Sequence, residues 1–508
     1  MKIAVEGCAH GELDKIYDTI RRLEEQHSFK VDLLIICGDF QAVRNASDME
    51  CMAVPRKYQE MKDFHRYYSG EMKAPVLTIV IGGNHEASNY LAELPYGGWL
   101  CDNIYYMGYA GVVNVKGIRI AGLSGIYKGH DYLKGRFEAP PYNESAKRSA
   151  YHIRNIDIFR LKQLKEPVDI MLSHDWPRGI YNYGNKERLL RQKQFFRQEV
   201  EENRLGCRPS EELLHQLKPK YWFAAHLHCK FAALVKHEDK SCTKFLALDK
   251  CLPNRDFLQT LDMDSSDEKL ELKYDLEWLS ILRSTNHLVA TDQKSHYMPG
   301  PGCGQRWEFA PTEEEKKEVS DLLSGNLAIP LNFAPTAPTF VPGSRPSPPQ
   351  AYLNPQTSMI CKTLSLCDPL EELLFPASKP SPSLSISGFF DREQDVTTAS
   401  EPTLDPDNSA FEHVGDLDSP EDQDQSGSLL AAEQSCDEEP LPKILHEVSG
   451  EDRRKMHLDE FGETDAATVN LESFPEAQEE KAVPLPRTSP SGRTLKRRNQ
   501  SIYMSDDS

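Results

Sequence analysis

This chain has no apolar run of membrane length, no C-x-x-C pair and no excess of positive charge, and each absence removes a class of protein. Its hydrophobic stretches stop short of the ~20 residues that cross a bilayer, so no membrane helix and no membrane partner is expected. The 12 cysteines among 508 residues are scattered, which suits a reducing compartment and argues against a disulfide framework. Met1-Lys2-Ile3-Ala4-Val5-Glu6 already reads as a strand, so no signal peptide is expected. The formal net charge is -20, an unexpected sign for a chain that handles nucleic acid over its whole surface.

Against these absences stand five stretches in which an apolar run ends in metal-ligand residues: Cys8-Ala9-His10, Gly38-Asp39, Gly83-Asn84-His85, Ser173-His174-Asp175 and Ala225-His226-Leu227-His228. The runs before them, over 3–5, 31–37, 76–81, 168–172 and 221–225, are rich in Val, Ile and other apolar residues, as strands covered on both faces require. Between the first two, Leu13, Ile16, Tyr17, Ile20 and Leu23 form a helical stripe. Helices are also expected over 155–164 and over 210–217, the latter with Ser210 as its N-cap. Strand and helix alternate, which predicts a layered α/β core with parallel strands, and in such sheets ligands gather beyond the carboxyl ends. All five motifs fall at that edge, so one metal centre is expected.

Asp, Asn and His with one Cys make a mixed donor set suited to zinc, iron or manganese, unlike the all-oxygen shell of calcium or magnesium. Eight candidate residues are too many for one tetrahedral ion, and Asp39 can bridge two ions, an arrangement that clamps phosphate oxygens. Phosphoester hydrolysis is the chemistry this set predicts.

The order D-x-H, G-D, G-N-H, H, G-H-x-H resembles the calcineurin-like metallophosphoesterases, with cysteine at the first position and Ala225 in place of a glycine. Within them, Cys37-Gly38-Asp39-Phe40-Gln41-Ala42-Val43-Arg44, Gly82-Gly83-Asn84-His85-Glu86, Ser173-His174-Asp175-Trp176-Pro177 and Asp249-Lys250-Cys251-Leu252-Pro253 resemble the RNA lariat debranching enzyme family. The resemblance covers about three hundred residues. It implies hydrolysis of the 2′,5′-phosphodiester at the branch of an excised intron lariat, with branched RNA and no DNA as substrate. It further implies that Cys8, His10, Asp39 and His228 line one metal pocket, and Asp39, Asn84, His174 and His226 the other. His85 would then be the general acid that protonates the departing 2′ oxygen. The thiolate of Cys8 favours Fe(II) or Zn(II) over Mn(II), with Mn(II) able to substitute, or else Cys8 is a small buried hydrophobe in a site with one ligand fewer. A lone buried histidine is ordinarily a core residue, and His65, His152 and His215 receive that reading.

Aromatic and basic residues interleave over 124–154, a composition suited to splayed RNA. The resemblance makes this the lariat recognition loop, with Tyr127, Lys128, His130, Asp131, Tyr132, Arg136, Phe137, Tyr142 and Arg154 as candidate contacts. A catalytic domain is expected over 1–240, a C-terminal domain packed on it over 241–330, and a disordered acidic tail over 331–508. The helix over 312–323 carries a Thr-x-x-Glu capping box. The tail holds most of the net negative charge, contains Ser-Pro sites and ends near a basic stretch, Arg493-Thr494-Leu495-Lys496-Arg497-Arg498. A nuclear address, with shuttling to the cytoplasm, and docking of splicing or intron-turnover factors are expectations for it. Two other readings are a metallophosphoesterase acting on a phosphoprotein or nucleotide, and a scaffold that keeps the fold without the chemistry.

Overall fold

The computed structural model describes residues 1–376. Strands β1 (Lys2–Glu6), β2 (Leu33–Ile36), β3 (Leu77–Val80), β4 (Gly98–Cys101) and β5 (Ile104–Tyr106) come first. They are followed by β6 (Ala110–Val115), β7 (Ile118–Leu123), β8 (Ile170–Ser173), β9 (Tyr221–Ala224), β10 (Phe231–Lys236), β11 (Cys242–Ala247), β12 (Leu258–Asp262) and β13 (Leu272–Tyr274). One sheet has the order β12-β1-β2-β3-β5-β4 and the other β10-β11-β9-β8-β7-β6-β13. The central strands of each are parallel, and antiparallel strands close the edges.

The apolar runs have their explanation in two sheets lying face to face. Ile3, Val5, Leu33 and Ile35 share a core with Ile120, Ile170, Leu172 and Phe223 of the second sheet. Alternate residues turn outward: Ala4, Leu34 and Ile36 meet Leu13, Ile16, Tyr17 and Ile20 of the helix Leu13–His27. On the far side Met171 and Trp222 meet Ile158, Leu161, Leu213 and Leu214 of the helices Asn155–Lys162 and Arg208–Leu217. Helix, sheet, sheet and helix form four layers, so a strand is buried on both faces and cannot alternate in polarity. The layered α/β class holds; the single sheet edge becomes two edges that meet.

The chain beyond 240 joins both sheets, β11 pairing with β9 and β12 with β1. Two boundaries differ from expectation. Order does not fade at 331, because the helices Pro355–Leu364 and Pro369–Leu374 follow, with Ile360 and Leu364 buried in the core. The side chain of Gln356 exchanges hydrogen bonds with the backbone of Trp99, at 2.8 and 2.9 Å, completing the β4 edge. A polar composition hid this segment, whose few apolar residues are spaced to reach the core. The helix Arg208–Leu217 is capped by Cys207, whose Sγ accepts the Ser210 N–H at 3.4 Å, so Ser210 is not the cap. The capping box at Thr312 and Glu315 is present on the helix Glu313–Leu322. The expected tail beyond 376, with its Ser-Pro sites and the basic stretch 493–498, lies outside the described residues.

Candidate metal centre

Each ligand motif sits in the turn that follows the carboxyl end of a parallel strand. Cys8 and His10 follow β1, Asp39 follows β2, and Asn84 and His85 follow β3, all in the first sheet. His174 follows β8, and His226 and His228 follow β9, in the second. Five residues in these turns, His10, Asp39, Gln41, His226 and His228, hold φ between 45 and 64°. That region costs a non-glycine residue on the order of 1–3 kcal/mol, and it persists where surrounding structure holds a functional side chain in place.

The geometry forms two adjoining pockets. Donor atoms of Cys8, His10, Asp39 and His228 all lie within 4.8 Å of one another. On the other side of Asp39, His174 Nε2 is 3.3 Å from Asp39 Oδ1 and 3.1 Å from Asn84 Oδ1. The His226 ring centroid is 5.0 Å from that of His174. His174 Nδ1 donates to the Cys37 carbonyl at 2.8 Å, which leaves the Nε2 lone pair facing the site. All seven residues predicted as ligands therefore converge, with Asp39 at the junction. His85 stands beside them: its N–H donates to Asp39 Oδ1 at 2.9 Å, and its Nδ1 is 4.0 Å from Asp39 Oδ2.

Electrostatics fit a divalent cation. Burial depresses the His10 pKa to about 4 and holds those of His174, His226 and His228 low, so these rings are neutral and offer lone pairs. Against its burial, Asp39 is kept well below the usual carboxylate range by the imidazole groups that face it and by the His85 N–H that donates to its Oδ1. Burial raises the Cys8 thiol, so a cation is what would draw out its thiolate. Four neutral imidazoles, an amide oxygen, a carboxylate shared between the two pockets and a thiol make the mixed donor set that transition ions favour.

Four nearby residues received no role from the sequence. Glu86 is buried and accepts the N–H groups of Phe40, Gln41 and Gly83, each at 2.8 Å, tying the Asp39 turn to the Asn84 turn. Burial and Asp39 push its pKa up to about 8, against three donors that favour the carboxylate. The Gln41 side-chain amide lies 3.3 Å from His10 Nδ1. Glu6 is fully buried at the end of β1, with its pKa raised by burial and by Asp39. Lys250 bridges Cys8 through the backbone. Position after Asn84-His85 was the one available signal for Glu86; Gln41, Glu6 and Lys250 are visible only in three dimensions.

The recognition loop is less open than its composition suggested. Arg154 is fully buried and pairs with Glu138 at 2.6 Å; Arg136 pairs with Asp157 at 2.6 Å and lies 3.6 Å over the Tyr109 ring. A buried guanidinium has to be paired, so both residues shape the loop and do not present charge to solvent. Asp131 is likewise committed, to His152 at 2.6 Å and Lys134 at 2.8 Å, and His152 is the satisfied core histidine expected. His130, Asp131 and His152 also group as a possible ligand set, and the Lys134 ammonium already neutralises its carboxylate. Lys128 and the Tyr142 hydroxyl are buried, the rings of Tyr127 and Tyr132 pack edge to face at 5.3 Å, Phe137 is half-buried, and His130 is exposed.

Two facing sheets with a histidine-rich cluster around one shared carboxylate at their joined edges define a metallophosphoesterase. The sequence profile of the calcineurin-like phosphoesterases matches residues 1–230, and that of the lariat debranching enzyme C-terminal domain matches 240–369. The chain is 48% identical to lariat debranching enzyme A of Xenopus laevis over 541 aligned positions, covering 100% of this chain and 99% of the relative. It is 47% identical to lariat debranching enzyme of Homo sapiens, covering 99% and 98%, and 53% identical to that of Arabidopsis thaliana, covering 72% and 86%. The chain belongs to the lariat debranching enzyme family.

Proposed function

We propose that this chain is a metal-dependent phosphodiesterase that hydrolyses the 2′,5′ bond at the branch of lariat RNA, linearising it. The observation that carries the reading is the convergence of all seven ligand residues on Asp39 in a member of this family. Divalent ions supply Lewis acidity toward the phosphate and a more acidic water. Cys8, His10, Asp39 and His228 would hold one ion, and Asp39, Asn84, His174 and His226 the other. His85, fixed through its backbone to Asp39 yet partly open to solvent, is placed to give a proton to the departing 2′ oxygen. Cys8 supports Fe(II) or Zn(II) as the preferred ions, with Mn(II) as a substitute.

The lariat substrate supports a nuclear address, and the basic stretch 493–498 is the proposed import signal; unchanged localisation after its deletion would reject it. Intron-turnover factors as partners of the segment beyond 376 rest on its acidic, Ser-Pro-containing composition alone.

The deciding experiment offers a synthetic RNA with 2′,5′ and 3′,5′ linkages at one adenosine to reduced, metal-stripped enzyme reloaded with Fe(II), Zn(II) or Mn(II). Selective loss of the 2′,5′ linkage is expected. Hydrolysis of an aryl phosphodiester without branch cleavage would leave a phosphoesterase with another substrate, and inactivity on both would favour a scaffold.

A further inference from the structure

With Arg136 and Arg154 committed inside the recognition loop, the phosphates of an RNA strand must meet cations elsewhere. Residues 186–197 read Lys-Glu-Arg-Leu-Leu-Arg-Gln-Lys-Gln-Phe-Phe-Arg, five cations and one carboxylate in a chain of net charge -20. They form the helix Lys186–Gln192 and a turn Gln194–Phe196 that leads into the helix Arg197–Glu201. Leu189, Leu190 and Phe196 are buried and anchor the segment. Arg188 and Arg191 face outward, and Phe195 is 52% exposed with the Lys193 ammonium 5.9 Å from its ring centroid. Tyr183, just before, is 43% exposed. Among the described residues, Arg188, Arg191 and Lys193 form no ion pair, unlike Arg197, which reaches Glu201 at 4.0 Å.

The segment lies beside the metal centre. Gly184 pairs with Ala233 of β10, the strand that begins just after His228 and Cys229.

We propose that residues 183–197 form a second RNA contact, which takes a single strand leaving the branch: bases stack on Phe195 and Tyr183 while phosphates meet Arg188, Arg191 and Lys193. Unpaired cations beside exposed aromatic faces match what single-stranded RNA presents, and stacking on an aromatic is worth ~1–3 kcal/mol per base. An acidic peptide would satisfy the cations and leave the rings bare, which disfavours it. The inference rests on branched RNA being the substrate.

The test compares two branched RNAs in the full-length protein, one with a single nucleotide per arm and one with arms of about ten, within the footprint of a stacking platform. The wild type is expected to favour long arms in kcat/KM. Phe195→Ala should cut the long-to-minimal ratio about tenfold. The triple variant Arg188→Ala, Arg191→Ala, Lys193→Ala should reduce the salt slope of log KM for long arms by about 2, three phosphate contacts at ~0.7 each. Ratio and slope equal to wild type overturn the inference. Direct binding of a linear oligonucleotide separates the two claims: if neither branched RNA is cut, yet binding weakens in both variants, the contact stands and the debranching reading falls.

Discussion

Cys8 Sγ accepts the backbone N–H of His226 at 3.2 Å, so the first ligand turn of one sheet is fastened to the last ligand turn of the other. Cys8→Ala removes both a donor atom and this tie. Metal affinity should fall at least ~10-fold, read by competition with a chelating dye. Cys8→Asp restores a donor of harder character, and the ranking of activating ions should move toward Mn(II); an unchanged ranking would count against Cys8 as a ligand.

His85→Ala should keep the metal content of the wild type, because the hydrogen bond to Asp39 comes from the backbone. Turnover of branched RNA should drop by about 10²–10⁴, the range of a lost general acid. Single-turnover cleavage at saturating enzyme measures it, and near-normal rates would remove the assignment.

Glu86→Gln replaces an acceptor-only group with one that turns an NH₂ toward backbone donors. The variant should lose about 1–3 kcal/mol in denaturant unfolding and bind metal 10–100-fold more weakly, although Glu86 stands outside the proposed ligand set. Normal affinity with reduced stability would confine Glu86 to the fold.

Arg44, five residues beyond Asp39, is fully buried and meets Asp48 at 2.8 Å, Glu93 at 2.7 Å and Thr336 at 2.9 Å, over the Tyr90 ring at 4.0 Å. Arg44→Met strands two carboxylates and should cost ~3–5 kcal/mol of stability by chemical denaturation. Thr336→Val removes the hydroxyl that accepts from Arg44 and donates to Glu93, two hydrogen bonds, and should cost about 1–3 kcal/mol.

His152 is buried against Asp131, and burial holds its pKa at about 4, below the unfolded value of 6.5. As pH falls through that window the unfolded chain takes up a proton that the folded ring refuses, so stability is lost on acidification. The stability gap between wild type and His152→Gln should narrow by about 2 kcal/mol from pH 7 to pH 5, measured by urea unfolding.

The proposed ligand residues were legible in the sequence because each follows an apolar run that reads as a doubly covered strand. The existence of two sheets was not, since β3 and β8 carry the same kind of apolar run and local pattern cannot say which strands pair. Thr336 and Gln356 escaped for a different reason: polar residues in a Pro-rich stretch look alike whether they meet solvent or latch onto Arg44 and Trp99. Arg136 and Arg154 misled for the same cause, because their partners, Asp157 and Glu138, do not stand at any helical or strand spacing that marks a pair.

The pairing of β1 with β12 sets a schedule for synthesis. Lys2 to Glu6 lie opposite Leu258 to Asp262, and Cys8 exchanges backbone hydrogen bonds with Asp249 and Cys251. A ribosome adding ~5–20 residues per second exposes the first ligand turn early and its neighbours some 240 residues later. Until that second half emerges, the turn carrying Cys8 and His10 follows a strand without its edge partner, and the turn carrying His226 and His228 arrives late as well, so the candidate metal centre is assembled only in the finished fold.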